Sequence, residues 1–480
     1  MKQDAKQKQA IQVASEISTL KRVMIHSPDS GLGKVVPSKA QDWLFEDIIH
    51  LDKMQREEYD LYIKLLLYFL DPEKIRGREA EIDDPANNRA FYKPDNPAYF
   101  CSDKVVEPQF LLSEILENPE LRVKLVCSVC AVEKCTYEVQ EQLLQLPAKD
   151  LAKTIISGST PEGKMIFPPV PNFIFTRDIG IVINDHILLN KPAKRVRLRE
   201  ALMMKYIFFN HPAFAEYRNK IIELSEDEQH FFLSDEDKKD YEVTLEGGDV
   251  MTVAPNHVLI GCSERTSEHA INQAIAILFD KKIVDKVTVI QIPPRRDFMH
   301  IDTVFTQVKR NVWVLFDKIF HQDEIKGYFR KDEPDIEDDK VKIIQFHRER
   351  SEPRMFDKIE QLLEDVSRTD LGATEPVRFI YSGGGEPLYA SREQWTDSCN
   401  VLALKEGVVI GYDRNTKTAE AFAQEGFRVV EAATLLQELA KGLQPDNITD
   451  TLILLPSAEL SRARGGSHCM SMPLLRDTLR

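Results

Sequence analysis

The chain has 480 residues, of which 42% are hydrophobic and 29% are charged, an ordinary globular composition that suits roughly two to four domains. Lys and Arg number 63 against 78 Asp and Glu, and the resulting net charge of −15 disfavours nucleic acid as a partner and suits a small cationic substrate. The N-terminal residues lack the apolar core of a secretory signal. The richest apolar run, 61–70, is interrupted by Lys64 and is shorter than the about 20 residues that cross a bilayer. We therefore predict a cytoplasmic protein without membrane association.

Along the chain, the segment 20–28 (LKRVMIHSP) predicts a strand close to the N-terminus. Residues 72–165 contain several helix-like stretches and predict an inserted helical subdomain, which divides an N-terminal part (1–71) from the remainder (166–480). The seven cysteines are an odd number, which favours reduced thiols. Three of them lie close together in the segment 127–135 (CSVCAVEKC), but no second CxxC and no nearby histidine supplies a fourth metal ligand. A buried helix is the favoured interpretation of that segment, and a metal site the alternative.

Four segments share one pattern, in which an Asp or Asn is followed by two apolar strands joined by a turn. They begin at Asp178, Asp249, Asp302 and Asn400 and predict four β-hairpins. Helix-like stretches lie between them and begin at Ser267 and at Thr418. Self-similar units of this kind predict a radial or stacked repeat of an α/β fold.

Two further segments lie outside the four hairpins. The apolar stretch that begins at Cys469 suits a strand that pairs with the one at 20–28. Residues 321–376 are highly charged and predict a surface excursion with a helix near its end.

If every hairpin begins at the same end of the repeat, the residues at these positions converge. The set then comprises several carboxylates, one titratable base and one thiol: Asp178, Glu246, His300, Asp302 and Cys469. Clustered carboxylates require a cation, and a guanidinium offers a planar array of donors that matches them. A cysteine thiolate is a strong nucleophile for the electron-poor carbon of that group once the thiol is activated, and a histidine supplies the acid and base.

Each of these residues alone has a simpler interpretation. A single Asp at the start of a strand is more often a turn or capping residue, and a single buried cysteine more often serves packing. Their joint placement at equivalent points of one repeat favours the functional interpretation.

Eight segments together resemble the arginine deiminase family. They are SEISTLKRVMIHSP (15–28), WLFEDI (43–48), PNFIFTRD (171–178), LEGGDVM (245–251), FMHIDTVFT (298–306), REQW (392–395), YDRNT (412–416) and RGGSHCMSMPLLRD (464–477). The resemblance implies a five-bladed, pseudo-symmetric α/β propeller with an inserted α-helical subdomain, no metal or organic cofactor, and a homo-oligomer.

The resemblance also implies roles for individual residues. Cys469 is expected to be the nucleophile and His300 the acid and base, while Asp178 and Glu246 grip the guanidinium and Asp302 holds both substrate and His300. Substrate-binding roles are expected for Asn172, Phe175 and Asp249, and for three arginines that clamp the substrate's carboxylate, Arg197, Arg265 and Arg464.

The predicted function is the hydrolysis of free L-arginine to L-citrulline and ammonia through a covalent thiouronium-type intermediate on cysteine. One alternative is an amidinotransferase, or a deiminase that acts on a modified arginine. A second is an arginine-binding protein without catalytic activity. A zinc hydrolase is a weaker alternative, because the sequence has no HExxH or paired-histidine spacing.

Overall fold

The computed structural model describes residues 10–28, 31–45, 47–226, 232–234, 238, 241–317 and 341–479. The strands in these ranges are β1 (Leu20–Met24), β2 (Val105–Val106), β3 (Gly180–Ile183), β4 (His186–Leu189), β5 (Ile221–Ile222), β6 (Val250–Ala254), β7 (His257–Cys262), β8 (Lys286–Gln291), β9 (Phe305–Lys309), β10 (Val312–Leu315), β11 (Lys342–His347), β12 (Arg354–Phe356), β13 (Arg378–Tyr381), β14 (Leu402–Lys405), β15 (Val408–Tyr412), β16 (Arg428–Glu431), β17 (Thr451–Leu455) and β18 (Met472–Arg476).

The helices in the same ranges are α1 (Leu51–Lys53), α2 (Asp60–Leu70), α3 (Glu79–Ile82), α4 (Pro108–Ile115), α5 (Pro119–Glu133), α6 (Tyr137–Gln145), α7 (Ala148–Ser157), α8 (Leu198–Asn210), α9 (Glu268–Asp280), α10 (Ile359–Asp365), α11 (Pro387–Trp395), α12 (Thr416–Gln424) and α13 (Ala432–Ala440). The protein is therefore an α/β protein, as the sequence predicts. Among the described residues, none of these helices combines the length and apolar character needed to cross a bilayer.

Within the described ranges the strands form five sheets that repeat one motif. Each sheet contains a central strand that pairs antiparallel with one neighbour and parallel with the other. The sheet orders are β18-β1-β2, β3-β4-β5, β12-β11-β8-β7-β6, β13-β10-β9 and β14-β15-β17-β16. The sheets are therefore mixed, and the repeat predicted from four hairpins extends to a fifth unit.

The predicted hairpins and the predicted terminal pairing are confirmed. The hairpins β3–β4, β6–β7, β9–β10 and β14–β15 each start one to three residues after the Asp or Asn that marks the segment. Strand β18, which follows Cys469, pairs antiparallel with β1, and Leu20 lies opposite Arg476. The last strand of the described chain therefore joins the first one in a single sheet.

The two helices predicted between hairpins are also present. Ser267 caps α9, because its hydroxyl accepts a hydrogen bond from the backbone N–H of Ala270 at 3.3 Å. Helix α12 begins at Thr416, two residues before the predicted start, and ends ahead of Gly426, whose φ of +87° suits glycine.

The segment 72–165, predicted as a helical insertion, contains α4 to α7 but also a strand. Val105 and Val106 form β2 and pair in parallel with Val23 and Met24 of β1. The sequence did not indicate this strand because it is only two residues long, too short for a periodic pattern. Cys127 and Cys130 lie on α5, as predicted.

The segment 321–376, predicted as a charged surface excursion, departs from that prediction. Residues 321–340 lie outside the described residues. Beyond them, β11 pairs along its whole length with β8, and α10 buries Ile359, Leu362 and Leu363 in the core. The predicted helix is present, but this half of the segment belongs to a sheet. The strand was not predicted because charged residues surround it and because only Ile343 and Gln345 of its six residues are buried.

Candidate active site

Three short 3₁₀ turns bring the predicted residues together. The turns Thr176–Ile179, Gly247–Asp249 and Ile301–Thr303 directly precede β3, β6 and β9, and the second contacts both of the others. Because these turns stand at the same position in successive repeats, the carboxylates and the histidine that they carry meet. The predicted convergence at the start of the hairpins is therefore present in the structure.

Cys469 lies against Asp302, in the loop that leads into β18. Its Sγ atom is 3.5 Å from Oδ2 of Asp302, and its backbone N–H donates to Oδ1 of Asn400 at 2.9 Å. The Nδ2 group of Asn400 donates to the backbone carbonyl of Asp302 at 3.0 Å. One asparagine therefore holds both the thiol segment and the carboxylate segment.

His300 lies between two carboxylates. Its Nε2 is 3.2 Å from Oε2 of Glu246, and its Nδ1 is 3.7 Å from Oδ1 of Asp178. The ring rests on Gly248: a Cβ at that position would stand 2.4 Å from Nδ1 of His300. Glycine is required here because any side chain would displace the histidine.

The guanidinium group of Arg197 lies between the carboxylates of Asp178 and Glu246. Its Nη1 group donates to Oδ2 of Asp178 at 2.9 Å and to Oε2 of Glu246 at 3.0 Å, and its Nε donates to Glu200 at 3.0 Å. The resemblance had placed this arginine at the substrate's carboxylate. In the structure its guanidinium instead lies on the two carboxylates that were expected to hold the substrate's guanidinium.

Asp178, Glu246 and His300 also offer a set of ligand atoms for a metal ion. Ligand atoms of Asp178, Glu246 and His300 lie within 4.8 Å of one another. The positive charge between the two carboxylates is already supplied by the Arg197 guanidinium. A metal ion would therefore have to displace a buried ion pair, which opposes metal binding.

The electrostatics follow from burial and from these charges. Burial alone would lower the pKa of His300, but Asp178, Glu246 and Asp249 outweigh it and raise that pKa to about 10. Burial alone would raise the pKa of Glu246, but Arg197, His300 and Arg265 hold it well below its usual range.

The nearby carboxylates disfavour ionisation of the Cys469 thiol. Burial, together with the carboxylates of Asp302, Asp178 and Asp397, raises the pKa of Cys469 well above the usual value for a cysteine. The histidine is therefore an imidazolium at neutral pH, while the Cys469 thiol is neutral.

Of the other two predicted carboxylate clamps, Arg265 borders this cluster and Arg464 binds a carbonyl outside it. Arg265 Nη1 lies 3.9 Å from Oε1 of Glu246, and Arg464 donates from Nη1 to the carbonyl of Trp395 at 2.6 Å. Arg464 sits at a φ of +62°, a conformation that a non-glycine residue adopts only when its surroundings hold it.

The remaining predicted residues, Asn172, Phe175 and Asp249, each have other partners. Asn172 donates from Nδ2 to the carbonyl of Trp43 at 2.7 Å, and the Phe175 ring packs so closely on Gly465 that a Cβ there would be 2.3 Å away. Asp249 accepts from the Ser263 hydroxyl at 2.6 Å and from the N–H of Ile301 at 3.0 Å. Asp249 therefore fixes the turn that carries His300 and Asp302.

Several residues at the site were not predicted to have a role. His468 lies between Oδ2 of Asp302, 2.9 Å from its Nδ1, and Oε2 of Glu16, 3.2 Å from its Nε2. Asp397 is buried near Arg464, and burial raises its pKa to about 7. The sequence contained a signal for two of the residues that were missed. Asn400 stands where the other hairpins have Asp, and His468 directly precedes Cys469.

The chain is similar to proteins of known family. A family model described as arginine deiminase matches residues 41–476. The chain is 30% identical to an arginine deiminase of Treponema denticola and 29% identical to one of Oenococcus oeni, and each comparison covers 98% of this chain and 99% of the relative.

Among solved structures, an amidinotransferase of saxitoxin biosynthesis from Microseira wollei is 14% identical, with a TM-score of 0.46 over 98% of each chain. Because the family model spans most of the sequence, and relatives match over nearly their full length, the chain belongs to the arginine deiminase family.

Proposed function

We propose that the protein hydrolyses free L-arginine to L-citrulline and ammonia. The observation that carries this proposal is that Asp178 and Glu246 already hold a guanidinium group between them, that of Arg197. Two buried carboxylates that accept from one guanidinium form a site for the reacting group of arginine. His300 and the pair of Cys469 and Asp302 stand beside that site, with an acid and a nucleophile.

Substrate binding must exchange one guanidinium for another. The substrate's group takes the place of Arg197 between Asp178 and Glu246, because two cations cannot share one Nη1 position. The released Arg197, together with Arg265 and Arg464, then pairs with the substrate's α-carboxylate, the role the resemblance implies. Asn172 and Phe175 line the same site.

In the first half-reaction the substrate's positive charge lowers the pKa of Cys469, and the thiol proton is released to solvent. The thiolate attacks the guanidinium carbon, and a C–S bond forms. His300 gives its proton to the departing nitrogen as the C–N bond breaks and ammonia leaves. Asp178 and Glu246 hold the positive charge of the resulting thiouronium.

In the second half-reaction water replaces sulfur. Neutral His300 takes a proton from water, and the oxygen attacks the same carbon. The C–S bond then breaks and regenerates the thiolate, and the remaining hydroxyl proton passes to solvent as citrulline forms. One proton from solvent restores the resting thiol, and the ammonia released in the first half-reaction is protonated in solution to ammonium. Asp302, which lies beside the sulfur, contributes by orienting the thiol and the substrate; no step needs a metal or an organic cofactor.

The architecture proposed with this function is a five-bladed, pseudo-symmetric propeller. Its support is that five sheets repeat one motif and that the turns before three hairpins meet at the site. Residues 1–71 and 166–480 form the catalytic unit, and 72–165 form the helical insertion that shares β2 with it. A cytoplasmic location and a homo-oligomer stay predictions from the sequence.

The test is an assay of citrulline and ammonia formation by the purified protein with L-arginine as the sole substrate. Stoichiometric release of both products is expected, unchanged by a chelator. Cys469→Ala should remove turnover, because no other group can form the intermediate. Near wild-type activity in that variant would contradict covalent catalysis.

The same assay separates the alternatives. An amidinotransferase would transfer the amidino group to an added amine, such as glycine, without releasing ammonia in proportion. A binding protein without activity would give heat on arginine addition in calorimetry but no citrulline over hours.

A further inference from the structure

Trp395 makes two contacts with Arg464 from the end of α11. The guanidinium carbon of Arg464 lies 3.7 Å from the centroid of the Trp395 ring, and its Nη1 donates to the Trp395 carbonyl at 2.6 Å. Trp395 is nevertheless 40% exposed, whereas Arg464 is only 4% exposed. The ring therefore covers the outer face of a buried arginine at the edge of the site.

The end of α11 is held in place by the two residues before Trp395. Gln394 is buried and donates from Nε2 to the Asp297 carbonyl at 2.7 Å, and the same carbonyl accepts from Nη2 of Arg464 at 3.4 Å. Glu393 accepts from the backbone N–H groups of Lys417 and Thr418, each at 2.8 Å. Trp395 is thus presented by an anchored helix end.

These contacts define the orientation of a planar cation. A guanidinium stacked on an indole keeps its donors in the plane of the stack, and the two carbonyls fix its rotation in that plane. Arg464 needs such support because its backbone has the strained φ of +62°. Removing the indole ring leaves the hydrogen bonds of Arg464 to the two carbonyls, but its guanidinium plane loses the surface on which it is stacked.

We propose that Trp395 is a positioning residue, which orients Arg464 for the anionic end of the substrate and so sets selectivity for guanidines that carry a carboxylate. This inference rests on the proposed function, because it takes Arg464 as a ligand of the substrate's carboxylate. Trp395 acts through Arg464 and not on the reacting carbon. Its loss should therefore weaken substrate binding more than it slows the chemical steps.

The experiment compares Trp395→Leu, which keeps apolar bulk without a ring, with Trp395→Phe, which keeps a ring. The matched control is Tyr389→Leu. Tyr389 is an aromatic residue of the same helix, is 43% exposed, and has a different cation, Nζ of Lys417, 5.9 Å from its ring centroid. Steady-state kinetics with L-arginine and thermal unfolding are measured for all three variants and the wild type.

For Trp395→Leu the KM is expected to rise about tenfold, with a smaller fall in kcat, and Trp395→Phe should recover most of that loss. The proposal is overturned if Trp395→Leu has the KM of Tyr389→Leu, or if kcat falls as much as KM rises. It is also overturned if Trp395→Phe is as impaired as Trp395→Leu. If Trp395→Leu does not fold, the KM of Trp395→Phe against that of Tyr389→Leu decides, since the smaller ring must still raise the KM measurably.

These outcomes are distinct from failure of the proposed function. A wild-type protein that releases citrulline, together with a Trp395→Leu variant that behaves like the control, overturns only the role of Trp395. A wild-type protein that releases no citrulline overturns the proposed function, and this inference with it.

Discussion

The Sγ atom of Cys469 lies 3.5 Å from the Oδ2 atom of Asp302, so the thiol faces a group that carries the same charge as its own reactive form. Two adjacent anions in a buried site repel each other, and the protein without substrate therefore keeps the sulfur protonated. The Arg197 guanidinium already lies on Asp178 and Glu246. In the proposed reaction the thiolate is therefore stabilised by a guanidinium carbon placed against the sulfur, and not by the entry of a cation alone. On this proposal the nucleophile is activated only when the substrate is bound, and the thiol is protected from unproductive reactions at other times.

The first prediction concerns the ionisation of that thiol. Because burial and Asp302 raise the pKa of Cys469, alkylation of the substrate-free protein by iodoacetamide should be slow at neutral pH. Its rate should rise with pH at a midpoint above the ordinary cysteine value of about 8.5. Asp302→Asn removes the nearest anion and should move the midpoint to lower pH. Labelling of Cys469 is followed by mass spectrometry of its peptide.

The other cysteines provide the internal control for that experiment. Cys101 is an exposed residue, but partial burial raises the pKa of its thiol as well, so its labelling controls for access of the reagent and not for an ordinary pKa. A midpoint for Cys469 at or below the ordinary value would show that another group already stabilises the thiolate.

The second prediction concerns His300 and stability. The carboxylates around His300 raise its pKa in the folded state to about 10, whereas an unfolded chain has a histidine pKa of about 6.5. Between these values the folded protein binds the extra proton, so the stabilising contribution is complete below pH 6.5 and disappears as pH rises through about 10. The free energy of unfolding of the wild type, minus that of His300→Asn, should therefore decrease over this range.

Denaturant unfolding of both proteins from pH 6 to pH 10.5 measures this difference. His269, for which no comparable carboxylate contact is described and which packs against Tyr241, provides the control substitution His269→Asn. A stability difference between wild type and His300→Asn that does not vary with pH would contradict the raised pKa.

The third prediction concerns the glycine beneath His300. In Gly248→Ala the new Cβ would overlap the imidazole, with Nδ1 only 2.4 Å away, so the ring must move from its position between Asp178 and Glu246. A displacement of about 1 Å in a catalytic group costs on the order of 100-fold in rate, and kcat/KM for arginine should fall by at least that factor. Gly33→Ala is the control, because the atoms nearest to its Cβ would belong to the side chain of Leu51, the first of them 3.1 Å away. A Gly248→Ala variant with more than a tenth of the wild-type activity would show that His300 does not need this position.

The fourth prediction concerns the asparagine that holds Cys469 and Asp302 together. Asn400→Ala removes the acceptor for the Cys469 N–H and the donor to the Asp302 carbonyl. Unpaired buried groups cost about 1–3 kcal/mol each in stability, and the loosened geometry should reduce kcat on the order of 100-fold. Unfolding and steady-state kinetics are measured together.

Asn415→Ala separates stability from catalysis in that comparison. Asn415 is also buried, and its amide makes two hydrogen bonds, both with Thr396, at 2.6 and 2.9 Å. The control should lose comparable stability and retain kcat. Equal losses of kcat in Asn400→Ala and Asn415→Ala would mean that Asn400 serves only the fold.

The convergence of the carboxylates, the histidine and the thiol was predictable because it depends on local patterns that repeat. Each hairpin is formed by two neighbouring strands and a turn, and the residue that opens it occupies the same place each time. The sequence pattern marked Asn400 as part of the repeat but did not show its hydrogen bonds to the backbone of Cys469 and Asp302. It missed β2 and β11, whose partners are remote in the chain.

By itself the sequence determined the hairpins, the residues that open them and the chemistry of that set, because turn residues and apolar alternation act over a few neighbouring positions. Only the tertiary structure decided which long side chains meet there. It placed Arg197 on Asp178 and Glu246, and the Trp395 ring on Arg464. The reach and rotamer of an arginine depend on packing with elements far away in the chain, and no local pattern specifies them.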